Sequence, residues 1–265
     1  YNQTEDQVDF SVGAGLEMDK FIEWACGNGL WGIENLSGVP GEAGASAVQN
    51  VGAYGTEAAD IILNVHTYDS ETNTWHTIGN KDCKFGYRDS VFKHYQRIGK
   101  HPLIIYAVDY RLSRLPKPNI EYPALKKFFS GCIPDNPHSV RKAIIDIRDS
   151  KLPSPEKVPS AGSFFKNPVI SDEQLKHIAA IEGNNDFPHY AVEGGWKVPA
   201  AWLIEKCGWK GRKIGPVTVW HLQPLVLTNP HRRAEGKDVV IAEKMIIDSV
   251  REQYDITLEP EVEHI

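Results

Sequence analysis

Cysteine is sparse and scattered. Cys26, Cys83, Cys132 and Cys207 stand far apart, with no C-x-x-C pair and no spacing that would assemble a zinc site or a disulfide framework. That excludes a cystine-stapled module and points to buried free thiols in a reducing compartment. Long apolar runs are lacking too. Nothing approaches the roughly eighteen residues that a membrane span needs, and the first residues lack the charged-then-apolar order of a secretion signal. A cytoplasmic location is therefore expected. Nor is there an excess of positive charge. Against 35 Asp+Glu stand 29 Lys+Arg, a net charge of -6, which argues against general affinity for nucleic acid or an anionic membrane but leaves room for one cationic pocket. Internal repeats and low-complexity tracts are missing as well.

What is present is a globular composition. With 41% hydrophobic and 24% charged residues over 265 positions, the chain can bury a sizeable core, and its length suggests two domains. In "QVDFSVGAG", Val8, Phe10 and Val12 alternate onto one face of a predicted strand. A helix follows over "LEMDKFIEWACGNGL", with Leu16, Phe21, Ile22 and Ala25 on its apolar face and Gly27 as its stop. Strand, Gly-x-Gly and helix in this order invite a dinucleotide-binding reading, which fails because Met18 occupies the place of the third glycine. "ADIILNVHTYDSETNTWHTI" predicts two strands about a polar turn at Asp69 to Asn73. "PLIIYAVDYRL" predicts another strand, and "SVRKAIIDIRD" a short helix.

The proline-rich "DSKLPSPEKVPSAGS" is the strongest boundary signal and starts a second unit near Leu152. In that unit Ser171 and Gln174 are spaced as a capping box over Leu175, Ile178 and Ala179. "AAWLIEKCG" predicts a helix, "PVTVWHLQPLVLTN" strands, "GKDVVIAEKMIIDSVREQY" a long amphipathic helix, and "ITLEPEVEHI" a terminal strand. The histidines, His66, His76, His94, His101, His177, His189 and His221 among them, show no ligand spacing.

One stretch is unusual. "ENLSGVPGEAGASAVQNVGAYG", Glu34 to Gly55, holds five glycines with small residues between them. Such bare backbone suits either a ligand laid flat against it, a pyrophosphate or a planar ring, or a network of tight turns. Composition leaves both open.

This stretch, with "FGYRDSVFK" from Phe85, "AGSFFKNPV" from Ala161 and "LEPEV" from Leu258, resembles the UDP-N-acetylenolpyruvoylglucosamine reductases, flavoenzymes of peptidoglycan precursor synthesis. The four motifs occur in the family's order and span essentially the whole chain. The resemblance implies an α+β protein: an FAD-binding fold of the vanillyl-alcohol oxidase type, here partial, and a C-terminal α+β substrate-binding domain. The expected boundaries are 1–152 and 153–254, with a terminal strand 255–265 rejoining the first domain. The family's N-terminal subdomain, which holds the FAD pyrophosphate, has no counterpart here, so a fragment of a longer protein is expected. A monomer is expected as well.

The implied reaction reduces the enolpyruvyl ether of UDP-N-acetylglucosamine, with NADPH as reductant and FAD as hydride carrier. Ser163 matches the family's proton donor. Arg88 and Glu261 match residues that bracket the substrate carboxylate, for which a planar guanidinium is well suited. On the residues alone, Ser163 would be a loop hydroxyl, Arg88 a salt-bridge partner of Asp89, and Glu261 a solvated position. Tyr54 and Tyr122 match substrate-site tyrosines, Tyr122 closing over the diphosphate in the type I branch. Lys151 matches a contact to the same phosphates, and Asn167 and Gln223 contacts to uridine or sugar. The cofactor is expected along Pro40, Gly41, Gly44, Ala45 and Ser46, then Val48, Gln49, Asn50 and Gly52. No metal is expected. A flavin oxidase of the same fold and a non-catalytic nucleotide-sugar binding module are the alternatives. Flavin absorbance and reoxidation by the UDP-enolpyruvyl sugar would separate them.

Overall fold

The computed structural model describes residues 2–97 and 103–264; His101 lies outside them. The chain divides into two compact units, Tyr1–Arg148 and Asp149–Ile265. Among the described residues no helix is long and apolar enough to cross a membrane.

The first unit runs β1 (Asn2–Gln3), β2 (Gln7–Gly13), α1 (Met18–Gly27), α2 (Ala43–Gln49), β3 (Gly52–Ala53), β4 (Thr56–Glu57), β5 (Ile62–Asp69) and β6 (Thr74–Gly79). It continues with α3 (Val91–Arg97), β7 (Ile104–Ser113), α4 (Pro123–Phe129) and α5 (Pro137–Asp149), whose last residue lies past the division. Its main sheet has the order β1-β2-β7-β5-β6, with every neighbouring pair antiparallel. The parallel crossover of a dinucleotide-binding unit is thereby excluded. Alternation does the sorting that the sequence implied. Val8 and Val12 of β2 and Val108, Tyr110 and Leu112 of β7 turn inward onto Phe21, Ile22 and Ala25 of α1. Each such large apolar side chain contributes roughly 1.5–3 kcal/mol on burial.

The Tyr110 hydroxyl seats α2 on this sheet, 3.1 Å from the Ala43 carbonyl and 2.7 Å from Ser46 Oγ. Arg141 of α5 reaches α1, where its guanidinium holds Asp19 in a two-pronged pair at 2.5 and 2.9 Å. Asp19 also accepts the Gly38 N–H at 2.6 Å. The glycine-rich segment is therefore fastened at its start by a half-enclosed ion pair.

The second unit runs β8 (Ser160–Ser163), β9 (Val169–Ile170), α6 (Asp172–Glu182), β10 (Tyr190–Val192), β11 (Gly195–Lys197) and α7 (Ala200–Lys206). Then come β12 (Lys213–Ile214), β13 (Val217–Val219), β14 (Val226–Thr228) and α8 (Gly236–Tyr254). Its sheets have the orders β12-β13-β14-β8 and β10-β11-β9. The predicted capping box starts α6: Ser171 Oγ accepts the Gln174 N–H, and Gln174 Oε1 accepts the Ser171 N–H, both at 3.2 Å. Ala242, Ile246, Val250 and Tyr254 of α8 enter a core with Phe164, Leu203 and Val219.

The compact units divide at 148/149, slightly ahead of the proline-rich stretch. Among the described residues, 255–264 form no strand where one was expected. Ile256 and Leu258 join the core of the second unit, Pro260 makes a single bridge with Phe165, and the Lys166 N–H bonds the Glu259 carbonyl at 2.9 Å. Pro260 has no N–H to continue a ladder, which confines the pairing to that short piece.

Candidate functional site

In the second unit, three expected site residues gather at one end of the four-stranded sheet. Gly162, at φ +73°, leads into Ser163, which is exposed at the end of β8 opposite Val226. The next residue, Phe164, is bonded on both sides: its N–H reaches the Leu225 carbonyl at 2.8 Å, and its carbonyl accepts the Glu261 N–H at 2.7 Å. Glu261 therefore lies beside the residue that follows Ser163, although nearly a hundred positions separate them in the chain. Gln223 occupies the adjoining turn, where its carbonyl accepts the Val226 N–H at 3.0 Å. A 2.6 Å ion pair from Lys166 to Glu259 reinforces the terminal segment just before Glu261.

Lys151 is exposed, and its carbonyl accepts Trp220 Nε1 at 2.9 Å. That bond ties the start of the unit to the loop carrying Gln223. Asn167 has a structural duty that the sequence did not suggest: its Oδ1 accepts the first N–H of α7, from Ala200, at 2.9 Å.

In the first unit the glycine-rich segment is a helix with tightly fastened ends. A Cβ on Gly44 would come within 2.8 Å of the Ala14 Cβ, and one on Gly52 within 2.9 Å of an Arg88 nitrogen. Close packing against Ala14 accounts for Gly44, and at Gly52 a side chain would displace Arg88 or Glu57. Several expected cofactor contacts also have protein partners. Ser46 Oγ bonds Ala43 and Tyr110, Gln49 Oε1 accepts Lys93 Nζ at 2.7 Å, and Asn50 reaches Glu57, Gly86 and Ala59. What faces outward is Pro40, Gly41 and Ala45, with Val48 half-buried. Gly41 sits at φ +126°, a conformation that side chains rarely adopt, and the space where its Cβ would be is open. This exposed, Cβ-free ledge fits a flat or phosphorylated group approaching the backbone, so the residues present are compatible with a bound flavin nucleotide. Among the described residues no cluster of His, Cys, Asp or Glu could hold a metal ion.

Arg88 closes the same segment from the other end. It adopts φ +54°, its Nη2 donates to the Gly52 carbonyl at 2.6 Å, and its guanidinium lies 5.2 Å from the Tyr87 ring centre. The expected pair with Asp89 is not what forms, because Asp89 meets His94 at 2.8 Å. Tyr54, at φ +48°, packs edge-on against Tyr122 with ring centres 5.1 Å apart. Burial pushes the Tyr54 phenol up, partly offset by the hydrogen bond and charge of Arg148. It is thus a neutral hydrogen-bonding group at ordinary pH.

The chain is 42% identical over its whole length to the UDP-N-acetylenolpyruvoylglucosamine reductase of Porphyromonas gingivalis, of which it covers 77%. It belongs to the UDP-N-acetylenolpyruvoylglucosamine reductase family. The reductase of that name from Bdellovibrio bacteriovorus is 39% identical over 94% of this chain and 72% of its own length. A family model described as UDP-N-acetylenolpyruvoylglucosamine reductase, C-terminal domain, matches residues 154–265. The fold is similar to the crystal structure of a UDP-N-acetylenolpyruvylglucosamine reductase from Thermus caldophilus, with TM-score 0.62 and 23% identity, over 96% of this chain and 71% of that one.

Three supporting residues of this reductase-family chain carried no sequence signal strong enough to single them out. Asn35 is buried, and its amide joins the Tyr54 and Asn119 carbonyls at 2.7 and 2.9 Å. Arg148, 94 positions away in the chain, is a cationic neighbour of Tyr54. Lys93, within the "FGYRDSVFK" motif, is 2% exposed. Only in the folded chain does a buried lysine distinguish itself from a surface one.

Proposed function

We propose that this chain reduces UDP-N-acetylglucosamine enolpyruvate to UDP-N-acetylmuramate with NADPH and FAD, in the cytoplasmic synthesis of peptidoglycan precursors. The observation that carries the reading is the bonding of residues 259–261 to residues 164–166, which sets Glu261 beside the Ser163 turn. Backbone from distant parts of the chain thereby meets at one sheet end, next to Ser163. Family membership supplies the substrate class.

Pro40, Gly41 and the Ala45 face would hold FAD, which would supply hydride chemistry there. This chain's own residues do the rest. Ser163 gives its hydroxyl proton to the carbon next to the substrate carboxylate; so weak an acid suits only a strongly basic carbanion. Arg88 and Glu261 bracket the substrate carboxylate, with the Arg88 guanidinium offsetting the negative charge that builds on it. Tyr54, Tyr122, Lys151, Asn167 and Gln223 bind the nucleotide-sugar, with the Lys151 ammonium toward its diphosphate.

General acid catalysis contributes about 10²- to 10⁴-fold, roughly 3 to 5 kcal/mol of the barrier. Ser163→Ala in the complete gene product is expected to cut turnover by about that factor, while NADPH still bleaches the flavin at the normal rate in a stopped-flow experiment. Loss of both half-reactions, or of neither, would remove Ser163 from the role.

A further inference from the structure

We infer that Lys93 is a positioning residue that locks Arg88 to the C-terminal turn of α2. The inference rests on the assignment of Arg88 above and deepens it. Burying an ammonium is costly, and a lysine stays inside only where its donors are engaged. Here Lys93 Nζ donates to Gln49 Oε1 at 2.7 Å and reaches the Arg88 carbonyl at 3.4 Å. One cation thus bridges the last residue of α2 and the backbone of Arg88.

That backbone needs holding. A left-handed conformation at a long side chain is strained and persists only where the surroundings impose it. Three further bonds run between the same two segments: Arg88 Nη2 to the Gly52 carbonyl, Ser90 Oγ to the Val48 carbonyl at 2.6 Å, and Asn50 Nδ2 to the Gly86 carbonyl at 2.8 Å. Each joins the exit of the glycine-rich helix to the loop that aims Arg88. Lys93 contacts both the helix side chain and the strained residue. Its tetrahedral head can satisfy acceptors in different directions, which a planar guanidinium cannot copy.

The test uses the holoenzyme from the complete gene with Lys93→Met, which fills the volume without donors, and Lys93→Arg, which keeps the charge but not the geometry. Hydrogen–deuterium exchange is expected to rise about tenfold or more in peptides covering 48–52 and 86–90, and to stay unchanged in α8. Turnover should fall about 10²-fold, as for a misplaced catalytic group, with little change in the KM for NADPH. In an Arg88→Gln background either replacement should add no further loss. Multiplying losses in the double variants, or unaltered exchange in both segments, would overturn the inference. If Arg88→Gln alone keeps full turnover, the assignment of Arg88 fails, and the exchange data alone decide whether Lys93 joins the segments. Should Lys93→Met not fold, Lys93→Arg carries both measurements.

Discussion

Several residues around the candidate site are bonded to the backbone of neighbouring segments. Asn167 is the clearest case, because its Oδ1 satisfies an otherwise unmet N–H at the start of α7. Asn167→Asp keeps that acceptor and loses the amide donors. Calorimetry should therefore show an unchanged melting temperature and weaker UDP-sugar binding. Asn167→Ala should lose both, with about 1 kcal/mol of stability; unaltered sugar affinity in the two variants would leave the residue a purely structural one. The cysteines sort by environment in the same manner. Burial pushes the Cys26 and Cys83 thiols up to about 12, whereas Cys132 is exposed. A thiol reagent at pH 8 should modify Cys132 first and reach Cys26 and Cys83 only on unfolding. The expectation of buried thiols thus fits Cys26 and Cys83 and fails for Cys132, whose position near the polar "SGCIPDNP" stretch was the available hint.

Among the elements, those with strong periodicity were legible and those held by a few distant contacts were not. The alternation of Val8, Phe10 and Val12, the polar turn between β5 and β6, the α6 capping box and the full length of α8 all follow from local pattern. The helix α4 is seven residues long, too short for a period to show, and it begins at a proline that reads equally as a turn. Asp19 and Arg141 lie 122 positions apart, so no local rule joins α1 to α5. Their pair makes a pH prediction. Burial acts upward on the Asp19 carboxyl, but the Arg141 hydrogen bond, the Gly38 N–H and the Arg141 and Arg148 charges outweigh it and hold it below its ordinary value of 3.8. A lowered folded value means that the stabilisation is complete at neutral pH and is lost as pH falls through and below the ordinary carboxylate range. Asp19→Asn should cost about 2–3 kcal/mol in urea unfolding at pH 7, since it leaves the mostly buried guanidinium without its charge partner. The difference from the unsubstituted chain should shrink toward pH 3; a gap that stays constant over this range would mean that the pair contributes nothing ionic.

At the scale of the whole molecule, each unit carries its own apolar core, and the second also carries Ser163, Glu261, Asn167 and Gln223. Residues 149–265 made alone are expected to melt in one cooperative transition by circular dichroism. A broad, non-cooperative loss of signal would show that this unit depends on the first. The glycine-rich stretch illustrates what sequence can and cannot say at this scale: its composition posed packing and ligand binding as rivals, and the folded chain packs Gly44 closely against Ala14 while leaving Gly41 exposed.

The position of Glu261 bears on how this protein can be handled. Because the segment around Pro260 is stitched to Phe164 and Lys166, shortening the chain to residue 258 would remove Glu261 together with the backbone bonds that hold it, so deletion series used to find soluble versions should spare residues 259–261.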